Sequence, residues 1–123
     1  MPLVHNACMI KVYGIPNCDT VKKARTWLAE QGLEHSFHDF KKQGVPATEL
    51  DGWIQTLGLA LLVNRKGTTW RQLSPQDQAA LSAPATARAL LLERASVIKR
   101  PVVLWPSGTL TVGFDPQTWA KLR

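Results

Sequence analysis

The sequence predicts an α/β fold built on a mixed sheet, and three observations carry that expectation. A short apolar strand pattern, MIKVYG, runs straight into a helical one, a helical middle follows, and the strand patterns in VVLWPSGTLTV precede a last short helix.

Ile10, Val12 and Tyr13 mark a buried first strand, and residues 1–8 read as an N-terminal extension outside the pattern. Beyond Pro16 and Asn17, Val21, Ala24 and Leu28 recur at helical spacing until Gly32 stops the helix. Residues 33–40, with Leu33, Phe37 and Phe40 among polar neighbours, are expected to form a second strand, and Lys41-Lys42-Gln43-Gly44 a polar turn. Pro46 opens a helix whose apolar face is Leu50, Trp53, Ile54 and Leu57, and Gly58 closes it. Residues 59–63 read as a short buried turn and residues 64–69 as a polar loop leading into Trp70. Ser74-Pro75 predicts an N-cap with proline at the first helical position, Pro84 breaks that helix, and Ala87, Leu90 and Leu91 carry another to about Arg94. Val97-Ile98 and Val102 through Trp105 flank Lys99-Arg100-Pro101, Ser107-Gly108 is a hairpin turn, Leu110 and Val112 mark the returning strand, and Asp115-Pro116 caps the final helix. The order is β-α-β, helical middle, β-β-α, which a thioredoxin-like sheet with helices on its faces accommodates.

At 123 residues the chain is long enough for one domain with its own core, and 45% apolar with 20% charged residues is ordinary for a globular protein. No stretch approaches the roughly 18 apolar residues that cross a bilayer, and no signal-peptide pattern opens the chain, so a cytoplasmic protein is expected. The net charge of +6 is spread along the chain, which argues against nucleic acid and suits small anions such as glutathione. The five tryptophans fall mostly at apolar positions, where core packing outweighs base stacking. His35 and His38 would point to opposite faces of a strand, so no metal is expected.

Cys18 opens the first predicted helix, where unpaired N–H groups and the helix dipole favour a thiolate. Lys22 and Lys23 add positive potential one turn on, and Asp19 opposes it. By position alone Cys18 is either a reactive thiol or a small half-buried residue. Pro101 at a strand start is either cis and beside a ligand site or a plain trans X-Pro. The loop NRKGTTWR, from Asn64, has cations and hydroxyls suited to a carboxylate or oxyanion, as do many solvated loops. Cys8 and Cys18 are both read as thiols, since a strand between them holds them apart.

In order and separation, YGIPNCDTVKKAR, NRKGTTWRQL and IKRPVVLW resemble the arsenate reductase (ArsC)/Spx family, most closely its YffB-like branch, over residues 9 to about 119. The resemblance implies a thioredoxin-like fold over residues 9–123 with a helical insertion at about 45–95. It makes Cys18 the nucleophile and Arg100 the arginine before a cis-proline, Pro101. Asn17, Asn64, Arg65 and Lys66 are expected with Arg100 and Pro101 on the substrate side. The chain departs from arsenate reductases in carrying Asn64 where a clamp arginine is expected, and Leu110-Thr111-Val112-Gly113-Phe114 where another would stand.

Val21 stands three residues after Cys18, so no C-x-x-C disulfide can close, and the redox switch of Spx-like regulators is missing. The resemblance therefore implies a glutathione-dependent thiol reductase acting on a disulfide or glutathionylated partner, with glutathione as co-substrate and neither metal nor nucleotide. An arsenate reductase and an RNA polymerase-binding regulator are the alternatives. Cys8 as a resolving thiol is disfavoured by its place at the far end of strand one.

Overall fold

The structure, a computed structural model, describes residues 9–123. The predicted extension over residues 1–8, with Cys8, lies outside the described residues. Two compact units are present: the described chain up to Lys41 together with Arg100–Arg123, and Lys42–Lys99.

The first unit contains β1 (Ile10–Gly14), α1 (Asp19–Glu30), β2 (His35–Asp39), β3 (Val102–Leu104), β4 (Leu110–Val112) and α8 (Pro116–Leu122). Its sheet has the order β2-β1-β3-β4, with β2 parallel to β1 and the other two pairings antiparallel. Val12 is the centre of the register, opposite Phe37 on one side and Val103 on the other. Strand alternation sends Ile10 and Val12 to one face, where they join Ala24, Leu28, Val103, Trp105 and Trp119 in a buried core. Trp119 sits edge-on to Trp105 and Phe114 at 5.0 Å each and to Trp27 at 5.8 Å, so aromatic packing fixes α8 on this face.

On α1, Val21, Ala24 and Leu28 are buried at the spacing expected, the last helical residue is Glu30, and Gly32 stops the helix as predicted. Gly32 takes φ +70°, and the Leu33 amide bonds back to the Leu28 carbonyl at 2.9 Å, a glycine-dependent helix stop. The second strand is shorter than its apolar pattern: it ends at Asp39, and Phe40 begins a one-turn helix, α2 (Phe40–Gln43), where a polar turn is predicted. The Asp39 carboxylate accepts from the Lys41 amide at 2.8 Å and starts that turn.

Within Lys42–Lys99 lie α3 (Ala47–Leu57), α4 (Leu59–Leu62), α5 (Thr68–Gln72), α6 (Pro75–Ala80) and α7 (Pro84–Glu93). The proline and serine signals hold: Ser74 Oγ accepts from the Asp77 amide at 3.1 Å, and prolines open α6 and α7. Two expectations are corrected. Where residues 59–63 are expected to form a turn, Leu59–Leu62 form the short helix α4, which leaves Leu61 exposed, and the expected loop before Trp70 becomes helical from Thr68. Ile98 forms no strand but a single bridge to Val63, with the Lys99 amide bonded to the Leu62 carbonyl at 2.7 Å.

Candidate active site

β1 ends at Gly14, and the next three residues turn the chain so that the Cys18 amide reaches the Ile15 carbonyl at 3.3 Å. Cys18 is extended (φ −96°, ψ 127°) and is the N-cap of α1, its carbonyl accepting from the Lys22 amide at 2.9 Å. The thiol is half-buried.

Burial alone would push the Cys18 thiol up. The Val21 amide, the hydrogen bond and charge of the Arg100 side chain, and the Thr20 amide outweigh it, so the thiol is held below its ordinary value. The lowered value agrees with the reading of the helix start, but the cation responsible is Arg100, eighty-two positions away in sequence, and not Lys22 or Lys23.

Arg100 is half-buried just before β3, and the Arg100-Pro101 peptide is cis. Pro101 is buried, and its carbonyl accepts from the Gly113 amide at 2.9 Å at the end of the β3-β4 hairpin. Gly14 permits the close approach of these parts: a Cβ there would lie 2.9 Å from Val21 Cγ2 and 3.9 Å from Arg100 Cβ. This role of Gly14 is not expected from the sequence. Its only sequence signal is a glycine closing an apolar strand pattern. Asn17 is exposed beside Cys18.

Asn17, Cys18, Arg100 and Pro101 thus share the first unit, whereas Asn64, Arg65 and Lys66 belong to Lys42–Lys99. There Asn64 Oδ1 accepts from the Lys66 amide at 3.2 Å, and the Arg65 guanidinium lies over the Trp70 ring at 5.4 Å. These residues line a cavity of about 210 Å³ together with Lys99, a cation the sequence reading did not select. Leu110-Thr111-Val112 is the returning strand that the sequence predicts, and Phe114 packs on Trp119. Among the described residues no group of three or more His, Cys, Asp or Glu comes together, and no helix is long and apolar enough to cross a membrane.

A mixed sheet whose first strand delivers one thiol to a helix N-terminus, beside the residue that precedes a cis-proline, defines a thioredoxin-like protein with a single cysteine at that position. The ArsC family model matches residues 13–122, and the chain belongs to the ArsC family. It is 41% identical over 111 residues to an uncharacterised protein of Haemophilus influenzae, covering 90% of this chain and 96% of that one. Among solved structures it is similar to the YFFB protein, with 42% identity, TM-score 0.85 and coverage of 93% and 98% of the two chains. An arsenate reductase (ArsC) related protein from Brucella melitensis has 42% identity and TM-score 0.72, with 92% of each chain covered. The chain is therefore an arsenate reductase-like member of this family.

Proposed function

We propose that the protein is a glutathione-dependent thiol-disulfide reductase that works through Cys18 alone. The observation that carries this reading is the setting of the thiol: a half-buried cysteine at the start of α1, with the Val21 and Thr20 amides and the Arg100 guanidinium favouring its anion. A thiolate is the attacking form in disulfide exchange.

In the first step the Cys18 thiolate attacks the glutathionyl sulfur of a mixed disulfide. The old S–S bond breaks, the substrate leaves as a thiolate that takes a proton from water, and Cys18 is joined to glutathione. In the second step the thiolate of another glutathione attacks that glutathionyl sulfur, forming glutathione disulfide and returning the Cys18 thiolate. In sum, the mixed disulfide and one glutathione become the substrate thiol and glutathione disulfide, so a single free glutathione is consumed in each turnover. Arg100 stabilises the Cys18 anion before attack and after release, and the Arg100-Pro101 turn lines the place for the substrate's main chain. Val21, fully buried at the third position after Cys18, leaves no local thiol to compete with glutathione.

Asn64, Arg65, Lys66 and Lys99 provide a separate cationic surface suited to an acidic group of a substrate. A full oxyanion clamp for arsenate needs further arginines, and the strand Leu110–Val112 supplies none.

The test is mass spectrometry of a Cys8→Ser protein treated with glutathione disulfide, followed by turnover of a glutathionylated peptide with glutathione. A single glutathione adduct on Cys18 and turnover lost in Cys18→Ser are expected. Arsenate-dependent turnover would make the protein an arsenate reductase. An unreactive Cys18, with RNA polymerase co-purifying even in Cys18→Ser, would make it a binding protein.

A further inference from the structure

Residues 18, 22, 25 and 29 recur at intervals of four, three and four, so Cys18 begins a single face of α1 that continues through Lys22, Arg25 and Ala29. Along this face lies a cavity of about 370 Å³ lined by Pro16, Lys22, Arg25, Thr26, Ala29 and His35. Pro16 sets its near end on the loop that carries Cys18, and Arg25 stands seven residues on, a rise of about 10 Å along the helix.

The guanidinium in this cavity is held in place. Arg25 Nε donates to His35 Nε2 at 3.2 Å, and the group lies over the Phe37 ring at 4.2 Å. Committing Nε in this way leaves the two terminal nitrogens as a fork for a planar anion. Lys22 adds a second charge from one turn nearer the thiol, Thr26 a hydroxyl, and the small side chain of Ala29 leaves room. No Asp or Glu lines the cavity, and among the described residues neither cation forms an ion pair. Two cations lining one cavity with no acid between them, one of them an immobilised guanidinium, suit an anionic group.

We propose that Lys22 and Arg25 bind a carboxylate of the disulfide substrate, so that the protein selects substrates carrying an acidic group about two helical turns from the reacting sulfur. The inference rests on the thiol-reductase reading for what reacts at Cys18, and on the cavity for what is held beside it. A glutathionyl group, with two carboxylates on a flexible backbone, is of this class; a neutral disulfide is not.

The test compares the rate of Cys18 with glutathione disulfide and with hydroxyethyl disulfide, which has no charge. Losing a charge-assisted hydrogen bond lowers the ratio of these rates by about tenfold or more in Arg25→Ala, and Arg25→Lys restores part of it. An unaltered ratio overturns the site, because a residue that only supports the fold slows both disulfides alike. Arg25→Gln serves if the alanine variant unfolds. Should Cys18 react with neither disulfide, the reductase reading fails separately. An amide NMR titration with S-methylglutathione, which has no thiol, then decides the site: shifts at residues 22–26 that vanish in Arg25→Gln support it, and no shifts in the unmodified protein overturn it.

Discussion

Replacing Gly14 by alanine tests how closely the end of β1, the start of α1 and Arg100 must fit. The added Cβ would stand 2.9 Å from Val21 Cγ2 and 3.7 Å from Cγ1, against the roughly 3.5–4.0 Å of an ordinary carbon contact. Val21 cannot swing away: it is fully buried, and its β-branch leaves one favoured rotamer in a helix. The first turn of α1 must move instead, and overpacking of this kind costs about 1–3 kcal/mol. For a chain of this length that lowers the melting temperature by about 4–12 °C. Urea unfolding followed by tryptophan fluorescence measures the cost in Gly14→Ala, Val21→Ala and the double variant. Val21→Ala alone leaves a cavity worth about 2 kcal/mol, but it also removes the clashing methyls, so the double variant should cost about 1–3 kcal/mol less than the sum. Additivity within about 0.5 kcal/mol would refute the clash. The same displacement draws the Val21 amide from the Cys18 sulfur, so the pH profile of Cys18 alkylation should move upward in Gly14→Ala.

Three further outcomes follow from the same geometry. Arg100→Ala removes a hydrogen bond and a charge that favour the thiolate while burial remains, so iodoacetamide labelling of Cys18 should need a higher pH; an unmoved profile would assign the lowered value to the helix amides alone. Trp119→Ala, at the centre of the aromatic cluster, should cost about 3–5 kcal/mol in urea unfolding, and a cost under about 1 kcal/mol would mean that α8 is not anchored there. His35 is held below its usual value of 6.5 by burial and then by the Arg25 charge, with a bond to the Leu33 backbone opposing. Between that value and the lower folded one the unfolded chain binds more protons, so stability falls as the pH drops through this window; His35→Gln should lessen the loss between about pH 7 and pH 5.

Elements whose cause is local are legible in the chain. Ser74-Pro75 and Asp115-Pro116 cap their helices with side-chain oxygens that reach amides two or three residues away, and no distant group is needed. Val21, Ala24 and Leu28 announce their face by spacing alone. The readings that failed lie where tertiary pairing chooses between similar local preferences. Leu33 and Phe40 extend the apolar pattern of β2, but β1 has only five residues to pair with it, from Ile10 to Gly14, so the ladder stops at Asp39. Residues 59–63 look like a short buried turn in isolation, and the bridge from Val63 to Ile98 with the Leu62 carbonyl bond is what ends α4.

The sequence by itself determined that Cys18 stands at a helix start, with no second thiol at Val21, because both follow from neighbours within one turn. It could not tell which cation serves that thiol: Lys22 and Lys23 are near in the chain, yet Arg100 reaches the sulfur because β3 lies antiparallel beside β1. Nor could it show that Arg25 is pinned between His35 and Phe37, which stand on the neighbouring parallel strand. Charge and hydrogen bonding act through space over a few ångströms, and only the folded sheet decides which residues come that close.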